Sequence, residues 1–165
     1  MKFTTFSLTE LLSQIGEDKV RNKLKGFRSK DKDIENFLIN KAIFFEKISI
    51  SSTYLIFNSE KELAGYFSIA NRSLILQEED LDIISKTLKK RLTKSASENK
   101  SGDYVINSFL LGQVGKNFNL EKNNLTGNEI LKIAYELLLE IRQKIRVKFI
   151  WLEYQNNEKI LDFLK

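Results

Sequence analysis

The sequence contains no cysteine, no histidine and no proline. Without cysteine there can be no disulfide, thiolate metal site, iron–sulfur cluster or cysteine nucleophile. Without histidine the Ser-His-Asp triad, the usual zinc sites and the commonest general base are excluded. Without proline no cis-proline switch operates. No apolar run approaches the roughly 18 residues that a membrane span requires. The N-terminal stretch Met1-Lys2-Phe3-Thr4-Thr5-Phe6 has neither an apolar core nor a small-residue cleavage site. The expectation is a cytoplasmic protein with no membrane association and no metal. The charge imbalance is modest, 27 Lys+Arg against 22 Asp+Glu for a net +5. It permits an acidic partner without demanding one.

Hydrophobic residues make up 42% of the 165, and aromatics 11%, enough to build a core. A chain of this length reads as a single domain over residues 1–165. Ser7-Leu8-Thr9-Glu10 is a capping box opening a helix through Leu11, Leu12 and Ile15. A second helix starts at Asp33 or a neighbour, with Ile34, Phe37, Leu38, Ala42 and Phe45 at helical spacing. The period then changes. Thr53–Phe57 and Leu63–Ala70, dense in β-branched and aromatic residues, flank the polar link 58–62 and predict an antiparallel hairpin. Gly65 inside the second run predicts a bulge or a close backbone approach.

Residues 77–103 predict one amphipathic helix on Leu81, Ile83, Ile84 and Leu88, then a basic run (Lys86, Lys89, Lys90, Arg91, Lys94) fading into a mobile loop. Tyr104–Val114 is the strongest strand signal, apolar enough to be buried on both faces. Thr126-Gly127-Asn128-Glu129 is a second capping box, with Ile130, Ile133, Ala134, Leu137, Leu138 and Ile141 forming a core stripe after it. Lys148–Tyr154 is a further strand, and Asn156-Asn157 leads into a last short helix with Ile160, Leu161 and Phe163. The order predicts an α/β fold with a mixed sheet. Its first half is antiparallel, and a strand–helix–strand unit closes it with a parallel pair.

A buried strand, a polar loop and a capped helix with Gly127 at its start make a candidate anion site. The first amides of a helix lack intrahelical acceptors, and the helix dipole adds positive potential. The ligand class is a phosphate or diphosphate. The same residues also read as a helix start with no ligand, and on pattern alone that plainer reading is the stronger.

The ordered set Leu111-Gly112-Gln113-Val114-Gly115-Lys116-Asn117 and Leu125-Thr126-Gly127-Asn128-Glu129-Ile130-Leu131 resembles the central segment of the GCN5-related N-acetyltransferases (GNAT). Upstream, Ile34–Leu38, Thr53–Phe57 and Gly65–Ala70 are similar to the toxin-like subgroup of that family. So are Trp151-Leu152-Glu153 and Asn156–Ile160. The resemblance covers the chain from about Ile34 onward. It implies a GNAT-like mixed sheet whose parallel pair splays to admit acetyl-CoA. It further implies a co-substrate site at Val114, Gly115, Lys116, Lys122, Leu125, Thr126, Gly127, Asn128 and Asn157. Two departures stand out. Leu125 occupies a position that is usually glycine, and Leu164, after Phe163, stands where the family commonly has the tyrosine that protonates the departing thiolate. The chain also stops at Lys165, before the family's closing strands, so a partner or a second copy in a homodimer is expected to complete the sheet if the chain is not simply short.

The chemistry implied is direct attack of a neutral primary amine on the acetyl thioester. A strand amide near Val114 polarises the carbonyl, and proximity supplies much of the rest. Glu153 is the sequence candidate for the base and Tyr154 for the acid. The acceptor is open between a protein amine, a small amine and an aminoacyl-tRNA. An antitoxin-like protein is the partner the subgroup implies. Two alternatives are a non-catalytic GNAT-fold binding protein and an RNA-interaction module using the basic 86–94 run.

Overall fold

The computed structural model describes residues 3–154 and 157–162, with backbone alone from residue 153 onward. The fold is α/β, with a mixed sheet, antiparallel plus a parallel pair, flanked by helices. The chain forms two compact units, Met1–Ala70 with Leu111–Ile141, and Asn71–Leu110 with Arg142–Lys165.

In the first unit, β1 (Thr4–Ser7) pairs antiparallel with β2 (Ser52–Phe57), which pairs antiparallel with β3 (Leu63–Asn71). The sheet order continues to β7 (Ser108–Lys116). Between β2 and β3 the register skips at Ile56/Phe57, so that Ile56 faces Gly65 and Phe57 faces Leu63. Ala64 is the extra residue of a bulge beside Gly65. Helix α1 (Leu8–Ile15) starts at the predicted box: Glu10 N donates to Ser7 Oγ at 3.1 Å, and Ser7 N donates to Glu10 Oε2 at 3.0 Å. Helix α2 (Glu17–Leu24) follows through Gly16, whose φ of 81° suits glycine.

Asp31, two residues ahead of the expected start, caps α3 (Lys32–Asn36) by accepting from Asp33 N and Ile34 N. The helix then widens into a π turn over Phe37–Lys41 before α4 (Ala42–Lys47). Phe37 and Leu38 are both buried there, next to Ala42 and Ile43. This core joins Leu8, Leu11, Val20, Leu24, Phe27, Leu55, Phe57, Leu63 and Tyr66.

In the second unit, β4 (Leu74–Leu76), β6 (Tyr104–Ile106) and β5 (Ala96–Glu98) form a small antiparallel sheet. Two expectations are corrected here. The single amphipathic helix is two short ones, α5 (Glu78–Asp82) and α6 (Lys86–Thr93), because Ile83 is 85% exposed and only Leu81 and Leu92 are buried. The expected mobile loop contains β5, recruited by the edge of β6.

The long apolar strand breaks at Asn107, dividing β6 from β7. Helix α7 (Gly127–Lys144) starts at the second predicted capping box. It buries Ile130, Ala134 and Leu138 of the expected stripe. Strand β8 (Phe149–Tyr154) follows and pairs antiparallel with β9 (Asn157–Asp162). This replaces the expected final helix, since pairing with β8 overrides the local helical pattern. Phe163, Leu164 and Lys165 lie outside the described residues. Trp151 is core. Its Nε1 donates to Arg72 O at 3.2 Å.

Candidate functional site

The site is built from the end of β7, the loop 117–126 and the start of α7, all in the first unit. Along β7, Phe109, Leu110 and Leu111 are buried, whereas Gly112, Gln113 and Val114 are half-buried. Gly115 is buried again, and its reason for being glycine is steric. A Cβ there would lie 2.5 Å from Tyr66 Cε1, 2.7 Å from Ile34 Cγ2 and 3.0 Å from Phe27 Cζ. Gly115 thus lets the strand lie flat on the aromatic core, where Tyr66 donates to Ile34 O at 2.6 Å. Burial, and then the nearby Asp31 carboxylate, pushes the Tyr66 hydroxyl far above its ordinary range. It is a structural hydroxyl, held protonated.

Two asparagines shape the loop. Asn117, 3% exposed, accepts on Oδ1 from Arg28 N at 3.1 Å and Asn119 N at 3.0 Å, and donates from Nδ2 to Leu63 O at 2.8 Å. Its backbone N–H donates to Ala64 O at 2.8 Å. Asn123 donates from Nδ2 to Ala64 O and Asn117 O, both at 2.7 Å, and accepts from Leu125 N at 3.1 Å. Backbone groups that would otherwise be orphaned in a loop are therefore satisfied by these two amides, which fixes the loop's path.

That path carries Leu125 inward. The side chain is fully buried, and Leu125 Cδ2 would stand 2.7 Å from a Cβ at Gly65. Leucine at this position fills the core over Gly65, so its side chain does not lie outward beside the helix start. At the helix start, Thr126 N and Oγ1 donate to Glu129 Oε2 at 2.7 and 2.8 Å, and Glu129 N donates to Thr126 Oγ1 at 3.2 Å. The Thr126 hydroxyl, and then its amide, hold the Glu129 carboxyl below the ordinary carboxylate range. The first intrahelical bond runs from Ile130 N to Thr126 O at 3.1 Å. Gly127 and Asn128 thus carry the two first-turn amides with no intrahelical acceptor. A Cβ on Gly127 would meet nothing within 4 Å, so the space over it is open.

Of the residues expected to hold a co-substrate, Val114, Gly115, Lys116, Lys122, Leu125, Thr126, Gly127 and Asn128 all belong to this strand–loop–helix segment. Their contributions differ. Thr126 spends its amide and hydroxyl on Glu129, Leu125 and Gly115 act through packing, and Lys116 and Lys122 bring charge. Asn157 is on β9, opposite Tyr154 at the end of β8. The side chains of Glu153, Tyr154 and Asn157 lie outside the described residues. The Phe44 and Phe45 rings on α4 have centroids 6.2 Å apart, and Phe44 is exposed. Among the described residues no cluster of carboxylates could hold a metal ion, and no helix is long and apolar enough to cross a membrane.

Sequence reading overlooked Gln113. Its Oε1 is buried and accepts no hydrogen bond from the described residues, a property shared with the hydroxyls of Ser51 and Thr53. A hydroxyl can turn to find a partner; a fixed amide oxygen on a strand cannot do so as freely. The signal in the sequence is a lone polar residue within the apolar run of β7.

No family model matches the chain, and no curated protein does. Solved structures do. AtaT complexed with acetyl-methionyl-tRNAfMet matches at 14% identity and a TM-score of 0.64, over 94% of this chain and 80% of that one. A tyrosine-to-phenylalanine mutant of KacT matches at 13% identity and a TM-score of 0.65, over 95% and 81%. AtaTR bound with acetyl-CoA matches at 14% identity and a TM-score of 0.59, over 93% and 76%. The chain has the fold of these GNAT-fold toxin acetyltransferases.

Proposed function

We propose that the protein is an acetyl-CoA-dependent N-acetyltransferase of the toxin type, acting on the amine of an aminoacyl-tRNA. The observation that carries this reading is the loop held by Asn117 and Asn123. It buries Leu125, leaves open the space over a Cβ of Gly127, whose amide and that of Asn128 have no intrahelical acceptor, and lies in a fold shared with acetyl-CoA-bound structures. The residues fit a diphosphate: two backbone donors at a positive helix end, with Lys116 and Lys122 supplying charge. The half-buried stretch Gly112–Val114 is the segment of β7 available to a pantetheine arm.

Acetyl-CoA supplies a thioester whose acetyl carbon forms a bond to the amine nitrogen while the bond to sulfur breaks. The amine loses a proton and the thiolate gains one, so the exchange is balanced without metal or redox chemistry. The chain contributes binding and alignment, which account for much of the acceleration in a two-substrate transfer. The backbone beside Val114 donates to the carbonyl oxygen as charge develops on it. Gln113 Oε1, closed off in the free chain, becomes an acceptor for the attacking amine only when the bound co-substrate opens the strand around it. Glu153 and Tyr154 remain the base and acid of this reading. The tRNA acceptor is supported by the acetyl-methionyl-tRNA complex of AtaT and by the exposed lysines Lys86, Lys90 and Lys94 in and after α6. An antitoxin-like partner is supported by AtaT bound to the C-terminus of the antitoxin AtaR.

The test is ligand-linked stability and exchange. Acetyl-CoA is expected to raise the melting temperature and slow amide exchange across residues 112–130. Release of free thiol should require an aminoacyl-tRNA. No thermal shift at millimolar acetyl-CoA would overturn the transferase reading. Thiol release with simple amines alone would overturn only the acceptor.

A further inference from the structure

Phe118, on the loop just past β7, is a large apolar ring left 47% exposed. Its position is fixed, since its N–H donates to Arg28 O at 2.8 Å. Two ammonium groups lie over it, Lys30 Nζ at 4.8 Å and Lys116 Nζ at 5.7 Å from the ring centre. Neither lysine has a carboxylate within 4.0 Å among the described residues. The neighbouring cations and anions are otherwise engaged. Arg28 donates from its guanidinium to Lys25 O and Phe27 O, Lys32 pairs with Glu35, and Asp31 caps α3. Two like charges over one ring repel each other, and the arrangement is relieved by an anion placed between them. Lys116 also lies close enough to the first turn of α7 for its charge to act on Glu129.

We infer that Lys30, Lys116 and Phe118 form a cradle for the adenosine 3′-phosphate end of the CoA carrier and give the protein a preference for CoA over its 3′-dephospho form. This rests on the diphosphate being held at Gly127 and Asn128. The adenosine is the part of the carrier that continues beyond that diphosphate. Its planar base and its phosphate monoester match one exposed aromatic ring flanked by two unpaired ammoniums. An RNA strand is the poorer match, because repeated phosphodiesters call for a track of free cations, and here the neighbouring Arg28 and Lys32 are already engaged.

The experiment is calorimetric titration of the full chain with CoA and with 3′-dephospho-CoA. The wild type is expected to bind CoA roughly tenfold more tightly, the usual scale for one charge-assisted contact pair. Lys30→Ala should lower that ratio to about three, and Lys30→Ala with Lys116→Ala to about one. Phe118→Ala should weaken both ligands by a similar factor and leave the ratio in place. Equal wild-type affinity for the two ligands, or a ratio that survives the double substitution, overturns the inference while leaving the transferase reading intact. Failure of the wild type to bind either ligand overturns both. Loss of binding to a short RNA on the double substitution, with the CoA preference unchanged, assigns the cradle to RNA and overturns the inference.

Discussion

A Cβ on Gly65 would stand 2.8 Å from the carbonyl oxygen of Gly115, so the backbones of β3 and β7 meet there with no room for a methyl group. The same Cβ would lie 2.7 Å from Leu125 Cδ2 and 3.3 Å from Ile130 Cδ1. The floor of the candidate site is thus set by a strand contact, with the buried leucine of the loop and the first core residue of α7 resting on it.

Gly65→Ala is expected to destabilise by about 2–3 kcal/mol, the cost of overpacking a site where one of the colliding atoms is backbone and cannot rotate away. The urea midpoint should fall with the slope unchanged. Gly127→Ala is the matched control. Its Cβ meets nothing within 4 Å, and alanine suits a helical position better than glycine, so stability should hold or rise by a few tenths of a kcal/mol. Equal losses at the two positions would mean that the Gly65–Gly115 contact is not what sets the packing.

Asn117→Ala removes an acceptor shared by Arg28 N and Asn119 N and the donor to Leu63 O. Leaving buried partners unpaired should cost about 2–4 kcal/mol in total. The loop should loosen with it, so acetyl-CoA affinity is expected to fall by at least about tenfold, further than the same substitution at the exposed Asn119. Calorimetric titration at a temperature where both variants remain folded separates the two effects. Unchanged affinity would show that the loop holds its shape without Asn117.

The two capping boxes are legible in the sequence because both partners of each sit within four residues, Ser7 with Glu10 and Thr126 with Glu129. The β2–β3 hairpin is legible because two runs dense in β-branched and aromatic residues flank a short polar turn. What is not legible depends on distant partners. Thr4–Ser7 becomes β1 only because Tyr54–Phe57 offers an edge, and Ala96–Glu98 becomes β5 only because Tyr104–Ile106 does. Asn117 reads as an ordinary loop asparagine, since Arg28 and Leu63 lie 89 and 54 positions away. Leu125 reads as an obstacle to a phosphate until Gly65, 60 positions earlier by the numbering, is seen to receive it.

Three carboxyls are held below their ordinary range: Glu129 by the Thr126 hydroxyl and then its amide, Glu35 by the Ser29 amide and then Lys32, and Glu17 by Lys47 and then Arg21. A carboxyl whose folded-state pKa lies below its unfolded value stabilises the fold only when ionised. Its contribution is complete above the unfolded value, about 4.3 for glutamate, and is lost as pH falls through the depressed folded value. Melting temperature should therefore be flat from neutrality to about pH 5 and drop on further acidification. Glu129→Gln preserves an acceptor for the capping box while removing one titration, so its acid limb should be shallower than that of the wild type. Identical limbs from pH 5 to 3 would remove Glu129 from the account.

Gln113 separates a functional residue from a structural one by the sign of its stability effect. A residue kept for the fold loses stability when replaced. A buried acceptor with no donor imposes a desolvation cost on the folded state that a leucine of similar volume does not. Gln113→Leu is therefore expected to leave the unfolding free energy unchanged or to raise it by up to about 1 kcal/mol. Acetyl-CoA affinity should stay within about twofold, since the amides of Gly127 and Asn128 are untouched. Turnover with the amine acceptor should fall by about tenfold or more, because the orienting contact to the nucleophile is gone. A loss of more than about 2 kcal/mol in stability would mark Gln113 as a structural residue with an internal partner, and full turnover would remove it from the site.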